Sequence, residues 1–198
     1  MTFEKLLQQS LVWRGFYFIT VLLVNIVLSR FLQADGAGWM YYMTNFFSLI
    51  LLIASLSMES GYTYFTSGNI IHQNKLAWFS LLWTLVVALF VGLLVGFYFT
   101  NIKPISHAEM QQYLLYALTY ICGIVLMNFF SVLFYAQKNY LIPNVVMGVL
   151  NIVLCCFIFI NYNKSNSYDT VVNGYFFCIL LQGIVLAIVF MVTNKSMQ

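Results

Sequence analysis

Six apolar runs, each about as long as a membrane-spanning helix, constrain the fold of this chain more than any other feature. A bilayer core about 30 Å thick needs roughly 20 helical residues to cross it. We therefore predict an all-α integral membrane protein with six transmembrane helices. The predicted spans are residues 10–31, 40–58, 76–99, 112–135, 142–159 and 171–193. Because the connections are short, we expect one up-down bundle that forms a single domain over residues 1–198.

Composition excludes several other classes of protein. The chain is 63% hydrophobic and 7% charged. This is more apolar than a soluble domain of the same length can cover. A net charge of +3, carried by scattered lysines and arginines, does not indicate a nucleic-acid partner. His72 and His107 lie in predicted loops on opposite faces, with no ligand set at metal-binding spacing. We expect no metal and no cofactor, and the chain shows no enzyme motif.

The predicted orientation rests on the positions of lysine and arginine. With both termini in the cytoplasm, the inner face carries more basic residues than the outer face, as membrane proteins tend to do. The inner set is Lys5, Arg14, Lys75, Lys138 and Lys195, and the outer set is Arg30, Lys103 and Lys164. This distribution favours a multi-pass protein of the cytoplasmic membrane with cytoplasmic N- and C-termini.

Polar side chains recur on one face of most predicted spans. Amides stand out among them, because each must find a hydrogen-bond partner away from lipid. The amide positions are Asn25, Asn45, Asn144, Asn151 and Gln182. Two explanations remain open, since such stripes occur both at helix-packing surfaces and around polar cavities. The third span has almost no polar stripe, so we expect it to face lipid.

Arg14 and Glu59 are the charges that most need an explanation. They lie at the outer ends of the first two predicted spans, about 30 Å from the turn between them at roughly 1.5 Å per helical residue. Ionisable groups near a membrane core are costly, and they mark functional or paired sites. We therefore hypothesise that the two side chains meet at the cytoplasmic mouth. A purely structural ion pair and a gating or substrate-binding role are both consistent with this placement.

The turn between the first two spans has its own chemistry. Gly36 and Gly38 permit positive φ, and Asp35 can cap the start of the second helix. Together with Arg30, these residues predict a helix–turn–helix over residues 32–39.

This turn also carries a family resemblance. The segment SRFLQADGAGWMYYMTNFFSLILLIASLSMESGYTYF resembles the polysaccharide and lipid-linked oligosaccharide flippases of the multidrug/oligosaccharidyl-lipid/polysaccharide exporter superfamily. The matching positions are Arg30, Phe31, Leu32, Asp35, Gly36, Gly38 and, more loosely, Gly61. The later FYAQKNYLIPNVVMGVLNIVL is similar to the loop between the family's fourth and fifth helices. Family members have twelve to fourteen helices, so this chain resembles an N-terminal six-helix lobe.

The resemblance implies a transport function. Such a lobe would pair with a second six-helix lobe or another copy of the chain, and the cavity between them would take a polyprenyl-diphosphate-linked oligosaccharide for polysaccharide, lipopolysaccharide or O-antigen export. Arg14 would bind the diphosphate, and Asn25, Asn45, Asn144, Asn151 and Gln182 would offer hydrogen bonds to sugars, with Glu59 at the same mouth. Two alternatives are a non-catalytic scaffold subunit of a glycan-assembly complex and a drug or cation antiporter lobe in which Glu59 carries the ion.

Overall fold

The computed structural model describes residues 3–55, 58–67, 71–101, 106–162 and 167–195, and within them it contains helices and no strand. The helices are α1 (Phe3–Ser55), α2 (Met58–Ser67), α3 (Gln73–Asn101), α4 (His107–Ala136), α5 (Leu141–Asn161) and α6 (Ser167–Lys195). All of them except the short α2 are long and apolar enough to cross a membrane, by length and composition. The predicted all-helical class is confirmed for these residues.

A sharp break at Gln33 divides α1 into two arms, which correspond to the first two predicted spans. Gln33 has φ 58° and ψ −172°. This backbone conformation is far from that of a helix. Across the break, the hydroxyls of Ser29 and Tyr41 are hydrogen-bonded at 2.9 Å. In an unbroken helix these two residues would lie about 18 Å apart along the axis. The N-terminal arm (residues 3–32) and the C-terminal arm (residues 34–55) therefore fold back on each other.

The structure differs from the predicted turn over residues 32–39. Helix resumes directly after Gln33, and no described glycine has a positive φ. Gly36 is instead a point of close contact, because a Cβ there would lie 2.8 Å from the ring of Tyr168 at the start of α6. Tertiary packing against α6, and not turn geometry, accounts for the small residue at this position.

The predicted loop over residues 59–75 also differs, since most of its first half forms α2. Tyr62 anchors this helix by stacking on Phe129 of α4 with ring centroids 4.8 Å apart. Its hydroxyl is also hydrogen-bonded to the hydroxyl of Ser80 in α3 at 2.9 Å. These contacts hold the connection from α1 to α3 against the bundle.

The ends of the helices show how they alternate in direction. At one end, the Gln137 amide donates to Gln73 (2.6 Å) and Asn194 (2.9 Å), which joins the end of α4 to the start of α3 and the end of α6. We call this the Arg14 end, because Arg14 lies beside the ring of Tyr135 near the end of α4. At the opposite, Gln33 end, the ring of Phe31 lies 5.7 Å from that of Tyr162, where α5 finishes. Long helices that follow each other along the chain thus run in opposite directions, whereas α4 and α6, which both finish at the Arg14 end, run parallel.

The core is centred on α4, which packs closely against α6. A Cβ on Gly183 would lie 2.7 Å from the carbonyl oxygen of Gly123, so the two helix backbones approach directly. Around the periphery, α3 leaves an apolar face exposed that includes Leu85, Leu89 and Leu93. The N-terminal arm of α1 exposes a similar apolar face.

Candidate polar cavity

A cavity of about 180 Å³ lies between the N-terminal arm of α1 and helices α4, α5 and α6. Each helix contributes residues spaced three or four apart, which is the spacing of one helical face. The lining residues are Tyr17, Val21, Val24, Asn25, Tyr120, Ile124, Met127, Asn151, Leu154, Tyr175, Ile179 and Gln182. Three of the five amides predicted from the sequence therefore converge on one space.

Two of these amides belong to a hydrogen-bonded chain that crosses three helices. Asn151 of α5 donates to the hydroxyl of Thr20 in α1 at 3.1 Å. Gln182 of α6 donates to the side-chain oxygen of Asn151 at 2.8 Å. All three residues are buried, and Thr20 in turn donates to the carbonyl oxygen of Tyr17 at 2.7 Å. This chain fixes the wall of the cavity, because each group satisfies a neighbour that lipid could not.

Other polar groups at the cavity have no partner of this kind. The Asn25 amide and the hydroxyls of Tyr17 and Tyr175 form no hydrogen bond with any residue that the structure describes. Tyr120 differs, since its hydroxyl is hydrogen-bonded to Ser48 at 3.0 Å. All three residues are only partly buried, so these groups can pair with water. The three free groups are therefore available to water or to a ligand inside the cavity.

Arg14 lies one helical turn from Tyr17, toward the Arg14 end of the bundle, and it is exposed. Its guanidinium carbon sits 4.7 Å from the ring centre of Tyr135 and 5.9 Å from that of Tyr140. The two tyrosine rings stack on each other with centroids 5.4 Å apart. Cation–π contacts of this kind hold the guanidinium in place and leave its edge free to donate hydrogen bonds.

Asn144 does not line the cavity, and it is hydrogen-bonded to the two tyrosines that contact Arg14. Its amide donates to the carbonyl oxygen of Tyr140 at 2.7 Å, and its side-chain oxygen accepts from the Tyr135 hydroxyl at 3.4 Å. Both partners belong to the residues whose rings lie under Arg14. Asn144 therefore fixes the aromatic surface on which the arginine rests.

The remaining predicted site residues lie elsewhere. Asn45 is exposed on the C-terminal arm of α1, away from the cavity lining. Arg30 and Asp35 are exposed near the Gln33 break, and Gly36 and Gly38 lie within the helix beyond it. Glu59 is the second residue of α2, but its side chain lies outside the part of the chain that the structure describes. Its pairing with Arg14 stays a prediction.

Sequence reasoning missed the tyrosines as site residues. Tyr17, Tyr120 and Tyr175 fall on the polar faces of their helices, where the amides and charges are the more conspicuous candidates. Tyr17 lies three residues after Arg14 and eight residues before Asn25. This spacing places Arg14, Tyr17 and Asn25 on one helical face, and it is the signal that could have identified Tyr17. Tyr135 and Tyr140 had no such signal, because their contact with Arg14 depends on the packing of α1 against the end of α4 and the start of α5.

Comparison of the chain with protein families, curated proteins and solved structures found no match. Among the described residues, no group of three or more His, Cys, Asp or Glu side chains could hold a metal ion. The candidate site thus consists of the polar cavity and the Arg14 cluster (Arg14, Tyr135, Tyr140 and Asn144) next to it.

Proposed function

We propose that this chain is one lobe of a membrane transporter that flips a polyprenyl-diphosphate-linked oligosaccharide across the cytoplasmic membrane. The observation that carries the proposal is a partly open cavity that amides and tyrosines line together with aliphatic side chains, between helices that are otherwise apolar. Hydrocarbon offers no hydrogen bonds, so polar groups at this depth mark packing contacts or a path for a polar substrate. The hydroxyls of Tyr17 and Tyr175 and the Asn25 amide form no hydrogen bond with another described residue, which favours the path.

The surface and the interior of the bundle support the same arrangement. Exposed leucines on α3 and exposed apolar side chains on both arms of α1 provide an outer surface suited to lipid. Inside, amides and tyrosines could replace water around the hydroxyls of a sugar. In this proposal the chain crosses the bilayer six times, with each arm of α1 forming one crossing and both termini in the cytoplasm.

Arg14 is the residue that we assign to the diphosphate. Its forked guanidinium matches phosphate oxygens, and the stacked rings of Tyr135 and Tyr140 leave that fork exposed. No carboxylate among the described side chains forms an ion pair with it. An anionic group of a lipid-linked substrate would therefore find, beside the cavity, a positive charge that no described carboxylate pairs with.

A partner lobe completes the proposal. Asn45 is an exposed amide on an arm whose neighbouring exposed residues, such as Phe46 and Leu49, are apolar. An amide in contact with lipid is costly, and a second lobe or another copy of the chain would supply its hydrogen bond. The polysaccharide, lipopolysaccharide or O-antigen pathway is the setting implied by the resemblance.

Complementation tests this proposal. The chain is expressed in a bacterial strain that lacks its oligosaccharide flippase, first alone and then fused to the C-terminal lobe of that flippase. Restoration of surface glycan in either form, and its loss in Arg14→Gln, is the expected result. Failure of both forms, with the protein present in the membrane, would contradict the transport proposal.

Two sets of variants, tested by complementation and by dye export, separate the alternatives. If Arg14→Gln and Glu59→Gln retain full function while Gly123→Leu abolishes it, the chain acts as a scaffold. If Glu59→Gln alone abolishes export of a cationic dye, and no lipid-linked glycan is required, the chain acts as an antiporter lobe.

A further inference from the structure

The free polar groups at the cavity identify its ligand more closely than the general transport proposal does. Tyr17 and Asn25 come from α1, and Tyr175 comes from α6, so they approach the cavity from two helices. Together they offer one side-chain amide, with a donor and an acceptor end, and two hydroxyls that both donate and accept. A ligand that satisfies them must itself carry several hydroxyl or amide groups.

The charge of the lining narrows the class of ligand. Among the described residues that line the cavity, none is charged. The nearest described cation on the same helix, Arg14, lies one turn beyond Tyr17 and is exposed. An anion inside the cavity would lose its hydration without gaining a counter-charge, which is strongly unfavourable. The cavity therefore suits a neutral polar group, and a phosphate belongs outside it beside Arg14.

The aromatic lining and the volume of the cavity further restrict the class of ligand that it can hold. Tyrosine rings present flat apolar faces, while their hydroxyls and the neighbouring amides provide hydrogen bonds. A sugar ring has the same two properties, with C–H groups on its faces and hydroxyls around its edge. The cavity volume is about 180 Å³. Pockets for drug-sized ligands begin at about 300 Å³, so this cavity holds one ring and not an oligosaccharide.

We propose that the cavity bounded by Tyr17, Asn25 and Tyr175 binds a single uncharged sugar ring and excludes acidic sugars. This inference rests on the proposed function and adds a substrate class to it. One neutral sugar of the glycan occupies the cavity while the diphosphate stays outside at the Arg14 cluster. The lobe thereby selects lipid-linked glycans with a neutral sugar at this position.

Saturation-transfer NMR on the full chain in phospholipid nanodiscs tests the proposal. Nanodiscs are required because maltoside and glucoside detergents would themselves compete for a sugar site. The probes are the methyl glycosides of glucose, galactose, mannose and N-acetylglucosamine, with methyl glucuronide as the acidic counterpart of the glucoside. At least one neutral glycoside is expected to bind, and the glucuronide is not.

Two variants assign the binding to the cavity. Tyr17→Phe removes one hydroxyl and keeps the ring, and Asn25→Leu removes the amide. Loss of one hydrogen bond is expected to weaken binding of the neutral glycoside by about two- to twelvefold. Asn173→Leu is the matched control, because it removes an exposed amide from α6, outside the cavity lining, and should leave binding unchanged.

The results overturn the proposal in three cases. These are no binding of any neutral glycoside, equal binding of the glucuronide and the neutral probes, or equal loss in Asn25→Leu and Asn173→Leu. If the first case arises with complementation intact, the cavity holds only water and the flippase proposal survives. If neutral sugars bind and complementation fails, the sugar site stands and the transport proposal falls.

Discussion

Asn151 of α5 and Asn25 of the N-terminal arm of α1 line the same cavity, yet they have opposite surroundings. Asn151 is buried, donates to Thr20 and accepts from Gln182. Asn25 is half-buried and has no hydrogen-bond partner among the described residues. The Asn151 amide is therefore part of the hydrogen-bonded wall that joins three helices, whereas the Asn25 amide is available to a ligand or to water in the cavity.

The difference arises from the spacing between helices and not from residue type. α5 lies between α1 and α6, so a polar group on its inner face meets partners on both sides. Asn25 lines the same cavity, but no described side chain forms a hydrogen bond with its amide. Identical side chains thus divide into structural groups and groups available to a ligand. Substitutions on the two sides of this division should have different effects.

The close contact of α4 with α6 should give the largest effect on stability. Gly183→Leu places a side chain against the carbonyl of Gly123. We expect a loss of about 3 kcal/mol or more, because a backbone contact cannot relax as a side chain can. Thermal unfolding of the purified protein measures it. Gly92→Ala on α3, where a Cβ meets nothing within 4 Å, is the control and should leave the melting temperature unchanged or raise it. If both substitutions changed the melting temperature equally, the contact between α4 and α6 would not be the most tightly packed part of the bundle.

The two asparagines provide the direct comparison. Asn151→Leu removes the amide that donates to Thr20 and the oxygen that accepts from Gln182. This loss is expected to cost about 1–3 kcal/mol. Asn25→Leu should cost little or nothing, because no protein hydrogen bond is lost. Unfolding of both variants in lipid-like detergent gives the two free energies. A larger loss for Asn25→Leu than for Asn151→Leu would reverse our assignment of wall and ligand groups.

Replacing Gln33, at the break in α1, with glycine should stabilise the protein. Its conformation, with φ 58° and ψ −172°, is one that glycine adopts readily. Other residues occupy such a conformation at a cost of about 1–3 kcal/mol. Gln33→Gly is expected to raise the free energy of unfolding by about 1 kcal/mol after the added flexibility of the unfolded chain is subtracted. Gln33→Val should lower it. If chemical denaturation shows that the two variants shift stability in the same direction, the two arms of α1 do not meet at this residue.

Arg14 should have the smallest effect on stability and a large one on function. Arg14→Gln removes the contact with Tyr135 and Tyr140. That removal is expected to cost about 0.5–1 kcal/mol in thermal unfolding. Arg14→Lys keeps the charge and should retain part of the proposed transport activity. The pairing with Glu59 is tested by the double exchange Arg14→Glu with Glu59→Arg. Recovery of expression and activity relative to both single variants supports the pair, and no recovery contradicts it.

Several features of the fold could be predicted from the sequence because they depend on local chemistry. The long helices follow from uninterrupted apolar runs, whose backbone groups are satisfied within each helix. The start of α4 is also local, since Ser106 caps the helix and Glu109 reaches back to the Ser106 backbone. The predicted span nonetheless begins later, at residue 112, because the polar first turn of α4 carries no membrane signal.

Other features could not be predicted because they require two helices at once. The positive φ at Gln33 contradicts the local preference for glycine, and the nearby Gly36 is explained by its contact with Tyr168. The place of Asn144 beneath Arg14 depends in the same way on the packing of α1 against α5. Periodicity indicated a polar face on each of these helices but not which neighbour that face would meet.

The sequence by itself determined that this protein is helical and apolar enough for a membrane, and it identified the amides that could carry function. Only the tertiary structure decided which of those amides hold the helices together and which remain open. The physical reason is that hydropathy and helical periodicity are properties of one segment, whereas a cavity exists only where neighbouring segments fail to meet. Asn25 and Asn151 have the same side chain, and the partners that neighbouring helices do or do not supply give them different roles.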